Sequence, residues 1–93
     1  MLGQMQPRAG MITGRVTGPG GEPVGGARVY VADGPAPMPD VAILTDARGE
    51  FALDASTPGR YRIACAAGHY KSASESVDVP AGGGAVLRIR LER

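Results

Sequence analysis

Few residues in this chain are equipped for chemistry. Cys65 and His69 stand four positions apart, a spacing that on a helix would set a thiol beside an imidazole. Such a pair is the beginning of a nucleophile–base couple or of a zinc site. Here it falls on a strand and the turn that follows, where that spacing brings nothing together. Two ligands do not make a zinc site, and catalysis needs a cleft and a third, orienting group that the sequence does not supply. Cys65 is therefore expected to serve as a small buried hydrophobe. Asp46, Arg48 and Glu50 imitate the start of a calcium loop, but an arginine takes a ligand position and no second carboxylate cluster follows. Asp46 reads as a turn-former instead. Gly18-Pro19-Gly20-Gly21 and Gly82-Gly83-Gly84 are glycine-rich, yet neither opens a helix whose N–H groups would cradle a phosphate. The sequence predicts no enzyme, no catalytic residue, no cofactor and no metal.

Composition narrows the classes further. Ninety-three residues make one domain with a thin core. There is no Trp, one Phe and three Tyr, so Val, Ile, Leu and Ala must do the packing. Fifteen Gly and eight Pro suit many short strands joined by turns and oppose long helices. The net charge of +1 gives no reason to expect nucleic acid or an anionic membrane as partner. One cysteine excludes an internal disulfide. The N-terminal segment lacks the apolar run of a secretory signal, and no stretch reaches membrane-spanning length. A cytoplasmic location is expected if the chain is complete; a piece of a longer or exported protein leaves location open.

The elements that position these residues follow from a period of two. Residues 1–10 are predicted to form a flexible arm, and 11–93 the folded domain. Ile12, Gly14 and Val16 alternate with Thr13, Arg15 and Thr17 in a first strand. Ala27, Val29 and Val31 point inward from a second, with Arg28 and Tyr30 outward. Residues 41–45 form a short third strand, and Asp46 to Gly49 a type I turn closed by a left-handed glycine. Phe51 and Leu53 face inward from the fourth. Thr57-Pro58-Gly59-Arg60 has the makings of a type II turn. Tyr61, Ile63 and Cys65 face one way from the fifth strand. The sixth, residues 70–79, is polar in its middle, and the seventh turns Leu87, Ile89 and Leu91 inward and Arg88 and Arg90 outward. About seven strands at roughly 8–12-residue spacing predict an all-β sandwich or barrel. No loop is long enough for the crossover helix of a parallel sheet.

Three motifs in order carry a family resemblance. Gly21-Glu22-Pro23-Val24-Gly25-Gly26-Ala27-Arg28-Val29, then Thr45-Asp46-Ala47-Arg48-Gly49-Glu50-Phe51-Ala52-Leu53, then Pro58-Gly59-Arg60-Tyr61-Arg62-Ile63 resemble the carboxypeptidase regulatory-like (transthyretin-like, prealbumin-like) domains. The middle motif resembles the family's hairpin. The resemblance implies a seven-stranded Greek-key β-sandwich, and the residues agree with it, since Phe51 and Tyr61 are expected to plug opposite parts of a thin core. It implies no single activity, because such domains serve as appendages, linkers and adhesion pieces. Related adhesin domains form Lys–Asn isopeptide bonds. This chain has no Asn, and its one lysine, Lys71, sits in the polar strand. Related hydroxyisourate hydrolases use several His and a Tyr-Arg-Gly-Ser ending, whereas this chain has one His and ends Leu-Arg-Ile-Arg-Leu-Glu-Arg.

Surface contacts remain. The loop Gly34-Pro35-Ala36-Pro37-Met38-Pro39 is longer than a turn needs and stiff, which suits a contact. Arg15, Arg28, Arg60, Arg62, Arg88 and Arg90 all fall on outward positions. The predicted partner-contact residues are Pro35, Pro37, Met38, Pro39, Arg88 and Arg90. The expected function is a non-catalytic protein-interaction or structural spacer module, docking on a larger protein or assembly through loops and an edge strand. A carbohydrate- or other ligand-binding accessory domain is the alternative, although exposed aromatic platforms are scarce.

Overall fold

A computed structural model describes residues 7–35 and 42–93. Seven strands form where the period-two pattern predicts them, the third and sixth shorter than their sequence suggests. They are β1 (Met11–Thr17), β2 (Arg28–Asp33), β3 (Ile43–Leu44), β4 (Glu50–Asp54), β5 (Gly59–Ala66), β6 (Ala73–Val79) and β7 (Ala85–Arg90). They make a three-stranded sheet, β4-β1-β7, and a four-stranded sheet, β3-β2-β5-β6. The two face each other as a β-sandwich only 17 Å through its short axis. Every neighbouring pair is antiparallel except β1 and β7, which run parallel from Ile12↔Ala85 to Thr17↔Arg90.

Inward residues of both sheets meet in one core. Ile12, Val16, Ile89 and Leu91 from one side and Val29, Tyr61, Ile63 and Cys65 from the other are fully buried. With so little aromatic volume, spacing matters more than bulk. Gly14, on the inward row of β1, leaves room for the Phe51 ring of its cross-strand partner. Tyr61 fills the other half, where its ring lies against Gly34 and its hydroxyl donates to the Thr57 carbonyl at 2.6 Å.

Two turns and the start of one strand differ from expectation, each for a physical reason. Asp46 to Gly49 has the expected local chemistry: Gly49 has φ of 76°, and Asp46 Oδ1 accepts from the N–H groups of Arg48 and Glu50, both at 2.9 Å. Yet β3 pairs with β2 and β4 with β1. The turn is thus a corner between sheets, not a hairpin within one. At Thr57 to Arg60 no type II turn forms. Gly59 opens β5 with φ of 141°, far from the value near 80° that such a turn needs, and Tyr61 rather than Arg60 takes the Thr57 carbonyl. The sixth strand begins later than its sequence suggests. Residues 67–70 turn first, with Tyr70 N–H donating to the Ala67 carbonyl at 3.3 Å and His69 held at φ of 71°, a conformation uncommon outside glycine.

Residues 8–10, assigned to the arm, are tied to the sandwich. Gly10 N–H donates to the Gly83 carbonyl at 3.0 Å, and the Gly10 carbonyl accepts from Ala55 N–H at 2.8 Å. Of β6, an edge strand, the middle stays polar. Glu75 pairs in register with the buried Ile63 and so stands on the core-facing side at the rim. An inward-pointing charge on an edge discourages unwanted strand addition.

Candidate contact surface

Alternation that buries Val29, Ile63 and Cys65 turns their neighbours to the outer face of the four-stranded sheet. Cross-strand register sets those neighbours in rows. One row runs Leu44, Arg28, Ala66, and the next runs Tyr30, Ala64, Ser74. Small side chains form the floor, and larger ones rise on one side. Leu44 is 64% exposed and Tyr30 36%, the exposed large hydrophobics among the described residues. At the end of this face near the β5–β6 turn lies a shallow concavity of about 350 Å³, lined by Gly26, Arg28, Leu44, Ala66, Ala67 and Gly68.

Electrostatics give this patch a sign. Arg60 pairs with Asp78 at 3.1 Å on the same face, whereas Arg28 has no carboxylate partner among the described residues. A free guanidinium beside an exposed leucine is suited to a surface that offers a carboxylate next to an apolar side chain.

The predicted contact residues do not gather into one surface. Pro35 is exposed at the far end of β2, where its ring covers Gly59; a Cβ at Gly59 would lie 2.8 Å from it. Pro37, Met38 and Pro39 lie outside the described residues. Arg88 and Arg90 are exposed on the opposite sheet, on the outer side of β7. Arg88 stands in register beside Arg15, which binds Glu50 at 3.0 Å. Arg90 is engaged by Glu92 at 3.1 Å and by the Pro19 carbonyl at 2.8 Å. Sequence reasoning did not single out Leu44. The run Val41-Ala42-Ile43-Leu44 is apolar throughout, so period alone does not say which residue faces out. Tyr70 is half-buried, with the Arg93 guanidinium 5.5 Å from its ring centre.

Candidate chemistry is dispersed. Among the described residues no three His, Cys, Asp or Glu side chains converge as a metal site would require. Lys71 is exposed, and its backbone N–H donates to the Glu92 carbonyl at 2.6 Å. Cys65 is fully buried, and desolvation pushes its thiol up to about 11, so at neutral pH it carries no thiolate. The folded state therefore holds this proton more tightly than the unfolded chain, which releases it near 9. Stability from this group is complete below that value and is lost as pH rises toward 11. Wild type should lose about 2 kcal/mol more than Cys65→Ala between these limits. Parallel denaturant titrations at stepped pH check this, and parallel decline of both proteins would contradict it.

Comparison with known proteins places this geometry. The sequence profile of the carboxypeptidase regulatory-like domain matches residues 11–92. No curated protein matches significantly. Among solved structures, a Bacillus anthracis TIE protein is similar with a TM-score of 0.71 at 20% identity, over 91% of this chain and 16% of that one. A type II cohesin–X-dockerin complex from Acetivibrio cellulolyticus contains a chain similar with a TM-score of 0.65 at 16% identity, over 87% of this chain and 56% of that one. A DUF3823 family protein from Parabacteroides merdae gives 0.57 at 19% identity, over 94% and 46%. The chain thus spans less than two thirds of each of these structures, and at such identities the likeness is one of fold.

Proposed function

We propose, since this chain belongs to the carboxypeptidase regulatory-like domain family, that it is a non-catalytic protein-interaction module docking on a larger protein through the outer face of its four-stranded sheet. The observation that carries this reading is the exposure of Leu44 beside Arg28, which has no carboxylate partner among the described residues, at the rim of a concavity. An exposed apolar side chain over small residues offers a partner contact area at little entropic cost, and the neighbouring cation fixes orientation. One structure of the same fold belongs to a cohesin–X-dockerin complex, a protein–protein assembly, and the reading extends that kind of contact to this chain. The partner would present an acidic residue next to an apolar one.

The experiment is quantitative capture from the native lysate with immobilised wild type, Leu44→Asp, Arg28→Glu and Arg88→Glu. Leu44 and Arg28 are exposed, so both variants should fold. A central contact residue of this kind is worth about 2 kcal/mol, so Leu44→Asp should lower retention of the partner at least tenfold. Arg28→Glu should act in the same direction, and Arg88→Glu should leave capture unchanged. Retention that survives both changes on the four-stranded face contradicts the reading. Loss confined to Arg88→Glu would move the contact to the other sheet.

A further inference from the structure

The two ends of the domain are joined by the parallel strand pair of the fold. β1 and β7, the first and last strands, lie side by side and parallel, with six residue pairs in register. Further bonds extend the seam beyond both strands. Leu91 N–H donates to the Thr17 carbonyl at 2.8 Å, and Gly10 N–H to the Gly83 carbonyl at 3.0 Å. At its start the seam is also sterically closed: a Cβ at Gly84 would overlap the Arg8 carbonyl oxygen and come within 2.8 Å of that of Met11.

Parallel pairing sets the two ends at opposite poles. Residue 10 lies beside Ala55 and Gly83 at one pole, while Arg93 lies beside Glu22 and Tyr70 at the other. Seven residues of β1 separate the poles by about 23 Å. Tension applied through the two ends would therefore draw β1 and β7 past one another along their length. All six pairs would be loaded together in shear, and none could open before the rest. Sliding is opposed by packing as well, because Ile12 and Val16 on β1 and Leu87 and Ile89 on β7 are buried against the opposite sheet. An antiparallel pair of end strands would instead have brought the ends to one pole, where the same bonds open one at a time.

We infer that this domain is a force-bearing link, built to stay folded when its two ends are pulled apart. This goes beyond the interaction reading above, and it does not use the Leu44 face. The capture experiment can therefore fail while this inference stands, and the reverse also holds.

Single-molecule pulling in two geometries on one fold tests it. In a Cys65→Ala background, Ala9→Cys with Arg93→Cys attaches handles at opposite poles and loads β1 and β7 in shear. Ala9→Cys with Ala81→Cys attaches both at one pole and peels the same strands apart. These positions are exposed. Both proteins should melt like the background protein and lengthen by about 3.6 Å for each residue between the handles, which shows that the same domain opens. Forced unfolding reports the barrier along the pulled direction. With six pairs sharing the load, the shear geometry should need about three- to sixfold more force at one loading rate, compared with bonds broken in sequence. Equal forces in the two geometries, or a lower force in shear, would overturn the inference.

Discussion

Gly14→Ala should destabilise the domain by about 3 kcal/mol or more, a large share of the roughly 5–15 kcal/mol that holds a chain of this size folded. The change adds one methyl group, and its effect comes from where that methyl must go. Gly14 is buried at the middle of β1, on the row that faces the core between Ile12 and Val16. Its partners in register are Phe51 on one side and Leu87 on the other. A Cβ there would overlap the Leu87 carbonyl oxygen and come within 2.7 Å of Phe51 Cε2. The ring has some freedom to turn, but the carbonyl belongs to a hydrogen-bonded strand and moves only with it. Truncating Phe51 should therefore not rescue the variant. Gly68→Ala is the matched control, because nothing stands within 4 Å of a Cβ at Gly68; it should stay within about 0.5 kcal/mol of wild type. Denaturant unfolding followed by circular dichroism measures both. A Gly14→Ala protein as stable as the Gly68→Ala protein would contradict this packing.

Gly49→Ala should cost about 2–3 kcal/mol, from two sources. Its φ of 76° is the left-handed conformation at which a Cβ is strained, by about 1 kcal/mol for alanine. The remainder is steric. Gly49 closes the Asp46 turn with an N–H bond of 2.9 Å, and its carbonyl accepts from Val16 N–H at 2.7 Å. A Cβ would overlap the Val16 carbonyl oxygen and lie 3.1 Å from Val24 N, two groups already bonded to each other at 3.0 Å. Comparison with Gly49→Asn separates the sources, since asparagine tolerates the left-handed conformation but carries the same Cβ. Both variants should be destabilised. A Gly49→Asn protein with wild-type stability would show that dihedral strain alone operates at this corner.

These two glycines show how much of the fold could be read from the chain. The left-handed role of Gly49 was legible because Asp46 and Gly49 stand at the offsets of a known turn. The sheets joined by that turn were not, because strand pairing depends on contacts far apart in sequence. Thr45 illustrates the same gap. Its buried hydroxyl donates to the Val24 carbonyl at 2.6 Å and accepts from Ala27 N–H at 2.9 Å, which fastens the corner to the start of β2. Nothing local marks it for that task. Inward rows of β1, β5 and β7 were legible from alternation alone. Tyr61 was expected in the core, but its bond to Thr57 displaced the turn that the Pro58-Gly59 pair suggested. The contact surface was the least legible part. Outward arginines were identified by their period, yet the sheet that each belongs to decides whether they act together. Arg28 and Arg88 stand on opposite faces, and Leu44 emerges only because β3 pairs with β2 through Arg28.

On our proposal a partner protein sits on the face carrying Leu44. Site-specific photo-crosslinking in the native host tests this most directly, with a benzophenone amino acid placed at Leu44 and, on the opposite sheet, at the exposed Ala52. One dominant protein adduct is expected from position 44, suppressed by Arg28→Glu, and no such adduct from position 52. The same adduct from both positions, or an adduct from position 52 alone, would contradict it.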